Sequence, residues 1–422
     1  MPETLTVLDG LLKDVYTDVV REQVSTYSPV QEMFEKVEDF EWDGRTAREV
    51  AIMSFNEGVG AAGEDANLPT AGNFDPQQFQ IPMRFLYGSF QMTKQMMESA
   101  KTSKGAFKNA TRTSFETLVR NLKRLRARVI WGDGNGILAL INGAAASATQ
   151  AVDAPFGVAS AVGGARFLRK NMIVGIWDPT ATTLRGVRTI NSVAADGNSI
   201  VLDSTVSTTD NDIVIRMNTT GGTTVGESGR QEPMGLLGLV DDGTFVATLH
   251  GLSRTTFPQL KSRVQSATGQ LSLDGIQLNF DIADQLGDAN IDCLAGHHSV
   301  RRAYLTLLEA DRRYTVDALM SPDGGTKVTD RRKYVTFGGV KIIEDKFAPY
   351  DTLFGLDKTT FRRYVQIDGE WADESGAILR QVSGKDTWTA FFRLWENMHS
   401  SRPNANFRMD GISTTKIYVA SF

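Results

Sequence analysis

A single cysteine, Cys293, stands in a chain of 422 residues, so no intrachain disulfide can form. A reducing compartment therefore suffices, and the fold must be held by burial and hydrogen bonding. Histidine is nearly as scarce, at four residues, which removes most of the donors a zinc centre draws on. Long apolar runs are missing too. The longest uncharged stretch, residues 134–151, is rich in Gly, Ala, Ser, Thr and Asn and is too polar to span a bilayer. The first residues are acidic and lack the apolar segment of a secretory signal, so the chain is expected to fold in cytoplasm, with no membrane partner. A formal net charge of -5 argues against a protein whose main task is gripping nucleic acid.

What remains is the composition of a globular protein, 41% hydrophobic and 23% charged, long enough for two or three domains. Near the start, Leu5, Leu8, Leu12, Val15 and Val19 recur every three or four residues and predict an amphipathic helix in an N-terminal arm, residues 1–49. A strand follows at residues 49–55. Phe79, Ile81, Met83, Phe85 and Tyr87 alternate along a return strand, and the apolar phase then changes at Gly88-Ser89, which predicts a bulge or bend there. Between the two legs lies a glycine-rich tip carrying Glu57, Glu64 and Asp65, with Asp75 beyond it. No Lys or Arg occurs between Arg48 and Arg84. A hairpin so long, and so polar at its tip, needs a surface outside its own domain to become ordered.

Residues 104–130 form the most regular helical pattern of the chain. Phe115, Leu118, Leu122, Leu125 and Val129 make one stripe, and the other faces carry Lys104, Lys108, Arg112, Arg120, Lys123, Arg124, Arg126 and Arg128 against one acid, Glu116. The run stops at Gly132-Asp-Gly-Asn-Gly136, a string of turn formers. Three readings of the basic face are open, ranked in this order. It receives the acidic hairpin of another copy, with Arg84 at the hairpin's base contributing. It is a solvated charged surface. Or it meets nucleic acid through phosphates.

Residues 151–232 change texture to short β segments at 172–177, 185–193, 200–202 and 213–215, which predicts a small inserted barrel or sandwich. Beyond Pro233 the pattern is mixed. Helices are expected at 256–267, 275–286 and 299–309, and strands at 334–343, 389–398 and 415–422. The fold class is α+β with an all-β insert.

No catalytic constellation stands out. His250-Gly-Leu-Ser-Arg254 has the outline of a serine nucleophile, but Thr255 occupies the position where a nucleophile elbow needs glycine, so a turn is the better reading. His297 and His298 near Asp292 and Cys293 lack a second donor cluster. Asp133-Gly-Asn-Gly136 lacks both the later acids of a calcium loop and the Gly-Lys-Ser/Thr of a phosphate loop. No cofactor is implied, and the chain does not read as an enzyme. A hydrolase using Ser253 and His250 is the reading from that other class.

The order of parts, with Phe55-Asn-Glu-Gly-Val-Gly-Ala-Ala-Gly-Glu-Asp-Ala-Asn-Leu-Pro69, Leu86-Tyr-Gly-Ser-Phe90, Ile130-Trp-Gly-Asp-Gly-Asn-Gly-Ile-Leu-Ala139, Pro233-Met-Gly-Leu-Leu-Gly-Leu239 and Phe337-Gly-Gly-Val-Lys-Ile-Ile343, resembles the tailed-bacteriophage major capsid proteins of the Hong Kong 97-type fold. That resemblance implies an extended loop at 50–93, a peripheral domain with a spine helix at 94–150, an inserted β domain at 151–232, an axial and peripheral domain at 233–400 and a C-terminal strand at 401–422. It implies a virion shell assembled from pentamers and hexamers around DNA, without sequence-specific binding, with scaffolding, portal and decoration proteins as further partners. Glu57, Glu64, Asp65, Asp75, Arg84, Lys104, Lys108, Arg112, Arg120, Lys123 and Arg124 are the expected subunit-interface residues. Some members weld neighbours through a loop lysine; here no lysine lies between Val50 and Thr93, so that chemistry is not expected. An encapsulin-type compartment shares the fold, and a tail or baseplate component is a further alternative.

Overall fold

The computed structural model describes residues 29–38, 40, 46–94, 118–155, 163–224, 229–311, 335–373, 378–382 and 384–414. The expected helix over Leu5–Val19 and the strand at 415–422 lie outside these residues. The first strands among the described residues are a short one, β1 (Glu35–Val37), and a long hairpin, β2 (Thr46–Ser54) and β3 (Asp75–Pro82), paired antiparallel with Glu49 opposite Phe79. The hairpin buries one face, Ala47, Met53, Phe79 and Ile81, as the alternation of its residues requires. β4 (Arg84–Thr93) follows after one residue, Met83.

Of the bulge or bend expected at Gly88-Ser89, the bulge is absent. β4 pairs with a late strand along its whole length without a register shift, and its inward positions are Leu86, Gly88, Phe90 and Met92. The change of face occurs instead at Met83, where the chain leaves the hairpin and joins another sheet. Gly88 has a different reason. A Cβ there would lie 2.9 Å from Leu122 Cδ1 and 3.2 Å from Leu118 Cδ1, because the helix α1 (residues 118–129) crosses directly over it. The first part of the expected spine helix, 104–117, lies outside the described residues.

After the turn at 130–136 come β5 (Ile137–Ile141), β6 (Ala145–Asp153), β7 (Ile173–Trp177), β8 (Leu184–Val193), β9 (Ser199–Thr208) and β10 (Ile213–Arg216), which close into a barrel in the order β10-β5-β6-β9-β8-β7. The expected insert began at 151, whereas β5 and most of β6 precede it. The small residues of 143–149 hid the period-two signal. Leu138, Val152, Val174, Ile176, Ile190, Ile200 and Leu202 fill the interior. Gln150, fully buried there, is satisfied: its amide donates to the carbonyls of Ser147 (2.7 Å) and Val206 (3.2 Å), and its oxygen accepts from the Thr208 hydroxyl.

The rest is α+β. A small hairpin, β11 (Thr248–Leu249) and β12 (Leu252–Ser253), leads to β13 (Arg263–Gln265), then α2 (Leu273–Gly287), β14 (Cys293–Gly296), α3 (His298–Asp311), β15 (Thr336–Phe337), β16 (Val340–Glu344), β17 (Leu353–Leu356), β18 (Phe361–Trp371), β19 (Arg380–Gln381), β20 (Thr387–Ser400) and β21 (Phe407–Met409). One sheet runs β13-β21-β17-β14-β16-β15. Leu294 faces the core under α2 and α3, while Cys293 and Ala295 face the main core. The other sheet runs β1-β18-β20-β19, with β4 also paired to β20.

The helix expected at 256–267 is a correction. Pro258 opens a single 3-10 turn, Pro258–Leu260, and β13 then pairs parallel with β21. Apolar spacing in Phe257, Leu260 and Val264 mimics a helix, and sheet pairing overrides it. The expectations at 275–286 and 299–309 correspond to α2 and α3.

Two sequence motifs meet in the core. The amide of Leu236 donates to the carbonyl of Ile130 (2.7 Å), and a Cβ on Gly235 would lie 2.3 Å from the Val129 carbonyl oxygen. Glycine at 235 is what lets the loop touch the end of α1. The carbonyls of the following turn, Leu236–Leu239, are held by buried Arg254 and Arg408, and both guanidiniums also reach Asp241.

Candidate assembly surface

The base of the β2–β3 hairpin is seated on its own chain. Arg362 donates to Glu49 at 2.8 Å and the Tyr364 hydroxyl donates to the same carboxylate. The Gln80 amide donates to the His250 carbonyl (2.8 Å), and Gln259 donates to the Met53 carbonyl (3.0 Å).

Beyond that seat the hairpin is bare. Val50 and Ile52 on its open face and Phe74 near its tip are exposed, and Phe55, Val59 and Leu68 are 80%, 88% and 81% exposed. Asn56 organises the tip, accepting from the amides of Gly58 (2.8 Å) and Gly72 (3.0 Å). Glu57, Glu64 and Asp65 are exposed around these residues, and Asp75, half-buried, accepts from Gln77 at 2.7 Å. Sequence reading found the acids. It missed that the tip is also apolar, although Phe55, Val59 and Leu68 sit in plain view where no periodicity assigns them a core. A cluster of large apolar side chains on a projecting arm marks a contact surface.

The basic helix divides in two. Arg120 is exposed, and Lys123 and Arg124 are half-buried; Lys104, Lys108 and Arg112 lie outside the described residues. Arg126 and Arg128 face inward. Arg126 forms a paired contact with Glu396 (2.9 and 2.5 Å), and Arg128 pairs with Glu232. All four side chains are buried. The last turn of the basic run therefore holds the fold together and is not open to a neighbour. Arg84, half-buried, donates to the Gln231 side chain, and burial lowers its guanidinium pKa. Among the described residues, Glu57, Glu64, Asp65 and Asp75 lie on the hairpin, Arg120, Lys123 and Arg124 lie on α1, and Arg84 lies on β4.

A second exposed apolar surface was not anticipated. Phe85 and Tyr87 on β4 and Phe391 on β20 project from the sheet face opposite α1, with Phe85 edge-on to Trp395 at 4.9 Å. The sequence pattern had placed Phe85 and Tyr87 in one phase with buried Phe79, and the switch at Met83 turns them outward.

The candidate chemistry resolves into structure. His250 Nε2 is 3.0 Å from the Met398 carbonyl, and Ser253 Oγ accepts from the amides of Thr255 and Thr256, so the two side chains are engaged apart. His297 bonds Ser299, His298 pairs with Glu344, and Cys293 is buried beside Met33. Asp133 accepts from the Asn135 amide, closing the helix-ending turn. Among the described residues no group of His, Cys, Asp and Glu is placed to hold a metal, and no helix is long and apolar enough to cross a membrane.

No protein-family model and no curated protein matches the sequence. Solved structures do match, over nearly the whole chain. The chain is similar to a subunit of the Cyanophage A-1(L) capsid, at 12% identity over 91% of this chain and 93% of that one, with a TM-score of 0.48. It is similar to the capsid of Myoviridae phage XM1, at 10% identity over 92% of each chain, with a TM-score of 0.43. It is also similar to the SrpI encapsulin of Synechococcus elongatus PCC 7942, at 10% identity over 94% of this chain and 92% of that one, with a TM-score of 0.41.

Proposed function

We propose that this chain is a major capsid protein that self-assembles into the icosahedral head of a tailed phage. One observation carries the reading: a hairpin whose base is locked to its own subunit while its tip, ringed by acids, leaves Phe55, Val59 and Leu68 exposed among the described residues. Leaving such side chains in water forfeits roughly 1.5–3 kcal/mol each, which docking on another copy recovers. The receiving surface on that copy is the outer side of α1, whose Arg120, Lys123 and Arg124 steer the acidic tip. The contact is heterologous, one patch meeting a different patch, and such contacts close into rings and then a shell.

Each contact need only be of ordinary size, since standard interfaces bury about 1,600 Å² in total and a shell subunit makes several at once. The shell encloses DNA without reading its sequence, and the mild negative charge of the subunit keeps the wall from trapping it. Scaffolding, portal and decoration proteins complete the particle.

Charge reversal at the tip tests the steering part. A Glu64→Lys, Asp65→Lys double variant keeps the far-UV spectrum and melting behaviour of the wild type and slows or blocks particle formation. Particles of normal yield from that variant would leave the apolar contact standing and remove the electrostatic one.

A further inference from the structure

Beneath the hairpin lies a buried pair of histidines that the assembly reading does not use. His399, on β20, is 0% exposed, and among the described residues neither ring nitrogen has a hydrogen-bond partner. Its ring meets Phe79 of the hairpin edge-on at 4.5 Å and lies 5.2 Å from the ring of His250. His399 Nε2 is 3.5 Å from Glu49 Oε2, also on the hairpin. His250 sits at the corner of the β11–β12 hairpin in the left-handed region, with φ of 44°, and its carbonyl is the one that holds Gln80.

We propose that the His399–His250 pair is an acid-sensitive seat that releases β2 and β3 from the body of the subunit when both rings are protonated. As regulation of the docking hairpin, its biological use rests on the assembly reading; its chemistry does not.

Charge balance in the buried site makes the pair sensitive to acid. The charged and titratable groups facing the pair are Glu49 from β2, Arg362 and Tyr364 from β18, Arg84 from β4 and Arg254 beyond the β11–β12 hairpin, and His250 shares a cavity with Asp133, Arg230 and Glu232. Glu49 is the acid in reach of His399, and it already serves Arg362 and Tyr364, while Glu232 is paired with Arg128 and Asp133 holds Asn135. One imidazolium, on His399, can lean on that carboxylate. A second, on His250, faces the guanidiniums of Arg84 and Arg254, and the acids of its cavity, Glu232 and Asp133, are already engaged by Arg128 and Asn135. Buried charges without partners are relieved by opening the site to water. Burial accordingly holds His250 down at about 4 and His399 well below its usual value. The part of the wall that can move is the hairpin, which contributes Phe79 and Glu49. β4 remains zipped to β20 along an unbroken ladder.

Hydrogen exchange read by mass spectrometry on the purified, unassembled chain tests this. After correction for intrinsic amide rates, peptides of β2 and β3 should exchange about tenfold faster at about pH 4.5 than at about pH 7.5, while β4 and the barrel change less than about twofold. A His399→Phe, His250→Asn double variant, which fills the ring site without titrating and suits the left-handed corner, should abolish the difference. Equal acceleration in the variant, or none in the wild type, overturns the proposal. Should the variant fail to fold, exchange at the imidazole Cε1 of the wild type reports each ring's pKa directly. Midpoints well below 6.5 for both rings sustain the seat, and ordinary midpoints overturn it. Because no particle is needed, a pH-gated hairpin on a chain that never assembles counts against the assembly reading alone. Particles built from a pH-indifferent hairpin count against this proposal alone.

Discussion

Arg126 Nη2 lies 2.5 Å from Glu396 Oε2, joining the last turn of α1 to the middle of β20 across 270 residues of sequence. Glu396 is fully buried and also accepts from Arg363 at 3.3 Å, and Asp368 lies 3.8 Å from Arg126. Two cations and one buried acid stabilise only as a set, since removing one member strands the others. Glu396→Ala should cost about 3–5 kcal/mol in urea unfolding. A loss under about 1 kcal/mol would mean that water or a rearranged Asp368 replaces the carboxylate.

Gly88 sets the distance between α1 and the sheet. Gly88→Val forces its side chain against Leu118 and Leu122, an overpacking expected to cost about 1–3 kcal/mol. A Gly88→Val, Leu122→Ala pair should regain part of that loss. Additive losses in the pair would show that the strain lies in the strand and not at the helix.

Cys293 is the chain's one thiol, buried at 1% exposure, and burial pushes its pKa up to about 12. It should resist iodoacetamide in the native state and react at once in denaturant, making its labelling a gauge of global opening. Fast native labelling would contradict the buried placement.

Acid should destabilise the subunit in a defined window. The folded state holds His250 at about 4 against an ordinary 6.5, so it favours the neutral ring. The stability tied to that preference is intact above pH 6.5 and is lost as pH falls through about 4. For a fully buried ring the loss is on the order of 3 kcal/mol. Urea midpoints measured across that range should fall with pH in the wild type and fall less in His250→Asn. Parallel slopes would place the acid sensitivity elsewhere.

Much of this layout is readable in the residues. Alternation in Phe79 and Ile81 predicted the return strand, and the 3.6-residue period predicted α2 and α3, because those elements bury one clean face. The misses share a cause. At Met83 the chain leaves one sheet for another, and at Pro258 a helical spacing is overruled by pairing with β21; both are decided by partners more than a hundred residues away. Charge misled in the same manner. Arg126 and Arg128 read as surface because their partners, Glu396 and Glu232, come from distant segments. The acids of the tip were legible. Its apolar character went unread because exposed Phe55 and Val59 look, in a list of residues, like a core that has yet to find its place.

The central claim is that the hairpin tip docks on another copy through its apolar residues. Negative-stain microscopy with light scattering, on the wild type beside a Phe55→Ser, Val59→Ser variant, tests it most directly. The account predicts hollow particles on the order of tens of nanometres for the wild type, and folded subunits or isolated rings for the variant. A wild type that stays monomeric or dimeric even with a crowding agent, or a variant that builds normal shells, would contradict it.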